Sequence, residues 1–308
     1  MNLLSLPRNL TMCIGITFVV GAFYSAVVQS NPLDESTSKK KILWLVEDKV
    51  ENIDLLAKKS PETSTSSYIE NLIIQQLSQY DIQIVRITAP RINRILSTEN
   101  NACVANRANT SERRQYSFFS DPQSFYLTHK LYRFHQKLAL PNQLLNEKGE
   151  IKDLPSVFNA LPEHTIGIAQ DISFGDFFDQ QIKKIKSKNI YYRSGSKRVV
   201  ALSSMLYKSR VDFVLALPVD ITPDEAQKSF LEQYTIAGAP PYLIAHFNCS
   251  NSQLGQVIIN DINKILAKIY KTEDYYQSHK KWFTDKQLDD LQTFLAEKFS
   301  ENSYINPR

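Results

Sequence analysis

Three observations predict an α/β protein of two lobes. Short apolar runs of strand character alternate with segments whose apolar residues recur at helical spacing. This alternation occurs in two clusters along the 308 residues. A last strand and helix then follow the second cluster, the pattern of a chain that crosses to a second lobe and returns. The length suffices for two cores, and 43% apolar with 22% charged residues is the composition of a folded protein. Such a path leaves a cleft between the lobes, and clefts at domain interfaces are preferred ligand sites.

Taken in order, the chain begins with Arg8, the apolar run MCIGITFVVGAFYSAVV at 12–28, and then Gln29, Ser30 and Asn31. Charge, apolar stretch and small polar residues form the pattern of a secretory signal, expected over residues 1–30. Its removal leaves a periplasmic chain. The apolar run is also at the short edge of what spans a bilayer, so an uncleaved membrane anchor is the alternative. Cys13 follows Met12 at the start of the run rather than its end, which argues against lipid attachment. Later apolar runs are interrupted by charge within about ten residues, too soon for a membrane span.

A polar linker at 31–40 leads to KILWLVED, a buried strand that ends in Glu47 and Asp48. Ile69, Leu72, Ile73 and Leu77 then fall at helical spacing, predicting a helix over 68–79 with Ser66 or Ser67 as its N-cap. IQIVRIT is the next strand, Pro90 opens a short helix RINRIL, and NACVAN is a third strand. An irregular segment, TSERRQYSFFSDP at 110–122, separates it from SFYLTHKLY. The second cluster runs TIGIAQ, FGDFFDQQIKKI, NIYYRS, SKRVVALSSMLYKS and VDFVLALP, alternately strand and helix. A turn at ITPDEA leads to a further helix. PPYLIAHFNC is again a strand, and 254–269 is a well-patterned amphipathic helix. The expected division is 41–129 for the first lobe, 130–238 for the second, and 239–308 for the return and C-terminal helices.

Beyond the apolar run stand two cysteines, Cys103 and Cys249. In an exported protein an even pair reads as a disulfide, the alternative being two small buried thiols. If the chain re-enters its first sheet, NACVAN and PYLIAHFNC are neighbours and the two cysteines lie close. The net charge of +4 is too small and too dispersed to argue for nucleic acid. Motifs of catalysis are missing. No G-x-S-x-G elbow, phosphate loop or Cys-x-x-Cys is present, and none of the five histidines is spaced for a metal. Neither an enzyme nor a cofactor is implied.

Thr110-Ser111-Glu112-Arg113, followed by Phe119-Ser120-Asp121-Pro122, resembles the T-P-E-R…F-S-x-P signature of the family 3 extracellular solute-binding proteins, the periplasmic binding proteins of polar amino acid transport. A divergent branch of that family is matched more closely, through a strand-end Trp, N-x-A-C-V-A-N-R, R-S-G-x-x-R and R-V-D-F. Trp44, Cys103, Asn106, Arg107, Arg193, Ser194, Gly195, Arg198, Arg210 and Asp212 stand at those places. The resemblance covers nearly all of the chain past the signal. It implies the type 2 periplasmic-binding-protein fold, two lobes joined by two crossover segments around a cleft. It gives Arg113 the role of gripping a ligand carboxylate, for which a planar two-pronged donor is well suited. Thr110 would add a hydroxyl, and Ser173 would lie at a helix start in the second lobe whose free amides suit an anion. Asn106, Trp44 and Asp48 complete the expected ligand-binding set, with Trp44 either an aromatic platform or a core residue. Arg107, Arg114 and Arg91 are expected on the surface or in lobe packing.

Two departures from the family pattern bear on the ligand. Where amino-acid binders carry an Asp to hold the ammonium, this sequence has Ala216, and where a Pro-Pro follows the first strand it has Lys49-Val50-Glu51. An α-amino group buried without an acceptor costs several kcal/mol, on the order of 2–7. The expected function is capture of a small polar, anionic molecule by a monomeric protein that serves an ABC-type transporter, through its membrane permease, or a membrane sensor. The alternative is an interaction module of the cell envelope that has lost amino-acid binding.

Overall fold

The computed structural model describes residues 38–47, 64–134, 140–195 and 197–298. The expected signal segment, Asp48 and Lys49-Val50-Glu51 lie outside them. Among the described residues no helix is long and apolar enough to cross a membrane.

The chain runs β1 (Lys40–Glu47), α1 (Thr65–Gln76), β2 (Tyr80–Ile87), α2 (Ala89–Thr98), β3 (Ala102–Ala108), β4 (Ser117–Leu127), β5 (Lys130–Phe134), α3 (Leu154–Ala160), β6 (Ile166–Ala169), α4 (Asp176–Ile182), β7 (Ile190–Arg193), α5 (Arg198–Tyr207), β8 (Phe213–Ala216), α6 (Glu225–Lys228), β9 (Leu231–Tyr234), β10 (Tyr242–Ser250), α7 (Gln253–Ile269), α8 (Glu273–Lys280) and α9 (Asp285–Lys298). Two five-stranded sheets result, in the orders β2-β1-β3-β10-β4 and β7-β6-β8-β5-β9. In the first, β1 is parallel to β2 and β3, whereas β10 is antiparallel to both β3 and β4. In the second, β6 is parallel to β7 and β8, and β5 is antiparallel to β8 and β9. The fold is the two-lobed α/β arrangement that the alternation predicts.

Strand β1 shows why its sequence is nearly all apolar. Ile42, Trp44 and Val46 pack against α1 and α7, among them Ile69, Ile73, Ile258, Ile262 and Leu266, while Leu45 joins Ile92 and Leu96 of α2 on the opposite face. A strand buried on both faces needs an apolar run rather than alternation. The second lobe has its own core, in which Ile166, Ile168, Phe213 and Leu215 meet Phe178, Leu202 and Leu206.

Boundaries move for identifiable reasons. Helix α1 starts three residues before the predicted 68, capped by Ser64, whose hydroxyl accepts from the Ser67 amide at 3.4 Å. Thr65 and Ser66 belong to the helix because their hydroxyls are used in tertiary contacts: Thr65 donates to the Ser278 carbonyl at 2.6 Å, and Ser66 accepts from Gln123 at 2.8 Å. SFYLTHKLY is not one strand. It breaks at Thr128-His129, so β4 ends the first sheet and β5 begins the second. The expected irregular segment is strand from Ser117 onward. It tolerates Pro122 because the ladder with β10 shifts register there. Where β10 turns into α7, Gly255 is required, since a side-chain Cβ there would lie 2.0 Å from the Ser250 carbonyl oxygen.

Cys103 of β3 sits directly opposite Cys249 of β10, and the two form a disulfide across 146 residues of chain. The two sulfurs are fully buried. A bridge closing so long a loop stabilises the fold by roughly 4–5 kcal/mol in the chain-entropy model. Cys103→Ala/Cys249→Ala is accordingly expected to lose about that much in denaturant titrations. Alkylation of the oxidised protein without reductant should label neither residue, and two labelled thiols in mass spectra would remove the bridge.

Candidate functional site

A cavity of about 520 Å³ lies between the two sheets, within the size range of small-molecule sites. The first lobe lines it with Glu47 at the end of β1, Ser64 to Ser67 at the start of α1, Asn106 and Arg107 at the end of β3, and Arg113. The second lobe contributes Asp171, Ile172 and Ser173 after β6, Arg198 and Val200 at the start of α5, and Val219, Asp220 and Thr222 after β8. Most of these follow the carboxyl ends of parallel strands, where open α/β sheets bind ligands.

Three buried guanidinium groups converge on the cavity. Arg113, 6% exposed, begins a short 3-10 turn, and its Nη1 donates to the Ala108 carbonyl at 3.0 Å. Arg107, 8% exposed, donates through Nη2 to Asn93 Oδ1, and its Nε has no partner among the described residues. From the other lobe, Arg198, 4% exposed, donates through Nη1 to Glu47 Oε1 at 2.9 Å and to the Gly195 carbonyl at 3.0 Å. Its Nε and Nη2 are buried without partners among the described residues. Burial pulls the Arg113 and Arg107 guanidinium groups down from their ordinary range, and for Arg107 the nearby Arg113 charge adds to the effect. The Arg198–Glu47 pair joins the lobes. Ser111 and Arg114 join them a second time, the Ser111 amide and hydroxyl donating to Asp176 at 3.1–3.3 Å and Arg114 lying 3.9 Å from the same carboxylate.

The wall of the first lobe is a bonded network. Asn106 holds a left-handed backbone, φ 57°, where β3 shifts register against β10. That conformation is one Asn adopts more readily than most side chains. Its amide donates to Gln123 Oε1 at 2.7 Å, and Gln123 Nε2 donates to both the carbonyl and the hydroxyl of Ser66. Behind this wall Trp44 is fully buried in the core, with its ring 5.9 Å from Phe247. It does not line the cavity. The indole Nε1 instead donates at 2.6 Å to Glu70 Oε1, and Glu70 does line it. Burial raises the Glu70 carboxyl from 4.5 to about 7, against the lowering effect of the indole hydrogen bond.

The remaining expected site residues are placed as follows. Ser173 lines the cavity, and its hydroxyl donates to Asp179 Oδ2 at 2.5 Å. The nearby amides are already taken, Phe174 by Asp179 Oδ1 at 2.9 Å and Gly175 by the Ser173 hydroxyl at 3.1 Å. These two amides are therefore not free for an anion. Thr110 is buried and shapes the turn, its hydroxyl accepting from the Arg113 amide at 3.4 Å. Asp48 lies outside the described residues. Arg107 was expected on the surface or in packing and is instead buried at the cavity. Arg198 carried a sequence signal only as the last residue of R-S-G-x-x-R. Glu70 carried one as a lone acid inside the apolar stripe of α1. His129, at the crossing from β4 to β5, lines the cavity between Phe174 and Phe178, and burial lowers it to about 3, so it is neutral.

Glu70 supplies a pH test of this wall. The folded protein keeps its proton up to about pH 7, whereas the unfolded chain releases it near 4.5. Stability therefore falls as pH rises through that window, and the deficit is complete above it. Glu70→Gln keeps an acceptor for Trp44 and removes the charge. At pH 8 it is expected to be more stable than the parent by on the order of 2–3 kcal/mol, with the difference vanishing toward pH 4.5. Denaturant titrations of both proteins across pH 4.5–8 give the comparison, and a pH-independent difference would contradict it.

No family model matches the chain, and no curated protein matches it. Solved structures do. A mutant of ArgBP from T. maritima aligns at 16% identity, over 81% of this chain and 98% of that one, with a TM-score of 0.54. A structure described under glutathione import in Gram-positive bacteria via GshT and the cystine ABC importer TcyBC of Streptococcus mutans aligns at 16% identity over 81% and 99%, with a TM-score of 0.54. A histidine kinase sensor domain with similarity to periplasmic binding proteins aligns at 11% identity over 80% and 96%, with a TM-score of 0.55. At these identities the likeness is one of architecture, and the architecture is the two-lobed type 2 periplasmic-binding-protein fold.

Proposed function

We propose that the protein is a periplasmic solute-binding protein whose lobes close on a small anionic molecule. The observation that carries this reading is the set of buried guanidinium nitrogens at one cavity, Arg107 Nε with Arg198 Nε and Nη2, that have no hydrogen-bond partner among the described residues. A buried donor left unpaired costs about 1–3 kcal/mol, and such groups are rare enough in native proteins to need a reason. An oxyanion held between Arg107 and Arg113 of one lobe and Arg198 of the other supplies one. Ala216, where an ammonium acceptor would stand, fits a ligand recognised by its negative charge. The protein acts as a monomer without enzymatic activity, and the closed lobes are read by a membrane permease or a sensor. Structures of the same fold include both kinds of protein, an ABC import system and a kinase sensor domain.

The absence of Pro-Pro after the first strand, together with Ala216, favours one second reading, an envelope interaction module that has lost small-molecule binding. Melting the protein against a panel of anionic metabolites separates the two. A ligand at a hundred times its Kd adds about 2.7 kcal/mol of apparent stability. A panel without any stabilising member supports the second reading.

For the ligand so found, Arg113→Ala is expected to weaken binding by roughly 2–5 kcal/mol, because it strands the bound anion without its buried partner. Arg113→Lys should restore only part, since an ammonium lacks two parallel donors. Arg114 is half exposed, and its side chain meets Asn109 and Asp176. Arg114→Ala should change the affinity by less than about 1 kcal/mol. Titration calorimetry reads all three, and equal minor losses for Arg113→Ala and Arg114→Ala would overturn the role of Arg113.

A further inference from the structure

One stretch of the second lobe is strongly basic. Between Asp179 and Asp212 stand nine of the 36 basic residues of the chain and none of its 32 acidic ones. The rest of the chain therefore carries more acidic than basic side chains. Arg198 turns inward to the cavity. Lys183, Lys184, Lys186, Lys188, Arg193, Lys197, Lys208 and Arg210 are exposed. Five of these, Lys183, Lys184, Lys186, Lys188 and Arg193, precede or lie on β7, an edge strand of the second sheet. On that strand Tyr191 and Tyr192 are 43% and 53% exposed. Apart from the inward Arg198–Glu47 pair, the described residues of this stretch meet an acid outside it through Lys188 and Glu163, at 3.4 Å between two exposed side chains.

We propose that this edge is a docking surface for an anionic phospholipid membrane. A row of lysines on a strand edge also deters edge-to-edge pairing, for which one or two charges suffice. Five exposed cations without an interspersed acid exceed that need, and they concentrate positive charge along one stretch of a molecule that is otherwise slightly acidic. Cations next to a bilayer are attracted by anionic headgroups, each contributing separately, and tyrosine rings settle at the headgroup level with the apolar body inward and the hydroxyl wet. Paired exposed tyrosines amid lysines match that interface. A membrane also lies in the path of this chain through its own apolar run at 12–28.

The test is co-sedimentation of the full chain with vesicles of phosphatidylcholine alone or with about 30 mol% phosphatidylglycerol, at low salt and at about 0.5 M salt. The apolar run contributes alike to both compositions, so the difference between them reads the charge. Binding to the anionic vesicles is expected to be at least about tenfold tighter, and the preference should vanish at high salt. Replacing Lys183, Lys184, Lys186 and Lys188 with Gln should lower affinity for the anionic vesicles by at least about tenfold. The same change at Lys264, Lys268, Lys280 and Lys286, four exposed lysines of the first lobe, should leave it unaltered. Tyr191→Ser/Tyr192→Ser should weaken vesicle binding with the salt dependence kept. An absent lipid preference, or equal loss in both lysine sets with each variant melting as the parent does, would overturn the proposal. So would binding to soluble polyglutamate as tight as to vesicles and indifferent to the tyrosines, which would assign the edge to an acidic macromolecule instead.

Discussion

The insertion of β10 between β3 and β4 is the constraint on which the rest of the molecule depends. The first sheet has a gap until residues 242–250 arrive, and they arrive only after the second lobe has been laid down in sequence. Three consequences follow from one strand. Its pairing places Cys249 opposite Cys103, its register shift lets β3 bulge at Asn106, and its residues Leu243 to Ala245 form part of the cavity wall. Contacts separated by more than a hundred residues dominate such a sheet, so folding has to meet a large loop-closure cost before these pairings stabilise anything. The buried disulfide retains that closure once made.

The cleft is built against the ordinary preference of charges for water. Three guanidinium groups and the Glu47 carboxylate are held in a space whose walls exclude most solvent, and Glu70 responds by keeping its proton to near neutrality. Buried ion pairs are weak sources of stability, because desolvation offsets much of their attraction. Their presence here is better understood through recognition than through stability. Tight hydrogen bonding around Gln123 fixes the backbone of Asn106 and the start of α1, so that the charged groups are mounted on a rigid wall. Directed charge in a dry, pre-ordered site discriminates strongly between an anion and a neutral isostere.

Much of the fold was legible because its signals are local. Apolar runs buried on both faces, as in β1, and the amphipathic stripe of α7 can be read in a few residues each. No change of local pattern marks the break within SFYLTHKLY, where the expected division into lobes was also drawn, since a strand that passes from one sheet to another keeps the same apolar pattern on both sides of His129. The start of α1 differs because Ser66 and Ser67 look like caps locally, whereas Ser64 caps the helix and the hydroxyls of Thr65 and Ser66 are claimed by Ser278 and Gln123, distant in sequence. The same distinction separates the site residues. Arg113 sits in a recognisable motif. Arg107 and Arg198 become site residues only through the packing of the two lobes, and Trp44 loses that role because α1 and α7 cover it. Burial of a single long side chain is a property of the tertiary structure, and an arginine in a sequence gives no sign of it.

The bridge from Glu47 to Arg198 has a consequence for populations. The two residues lie 151 positions apart on different lobes. Under the proposed function, closing the lobes brings them together and also withdraws the other Arg198 nitrogens from water. Closing without an anion would then sacrifice hydration that no described residue restores, while closing around one would restore it. Differential affinity for the closed form is the only means by which a ligand can shift such an equilibrium. Under the proposed function the difference resides in the same few N–H groups that would recognise the ligand. Occupancy and shape are then linked by one set of bonds, and a partner that reads only the closed shape receives a report of occupancy with few false positives.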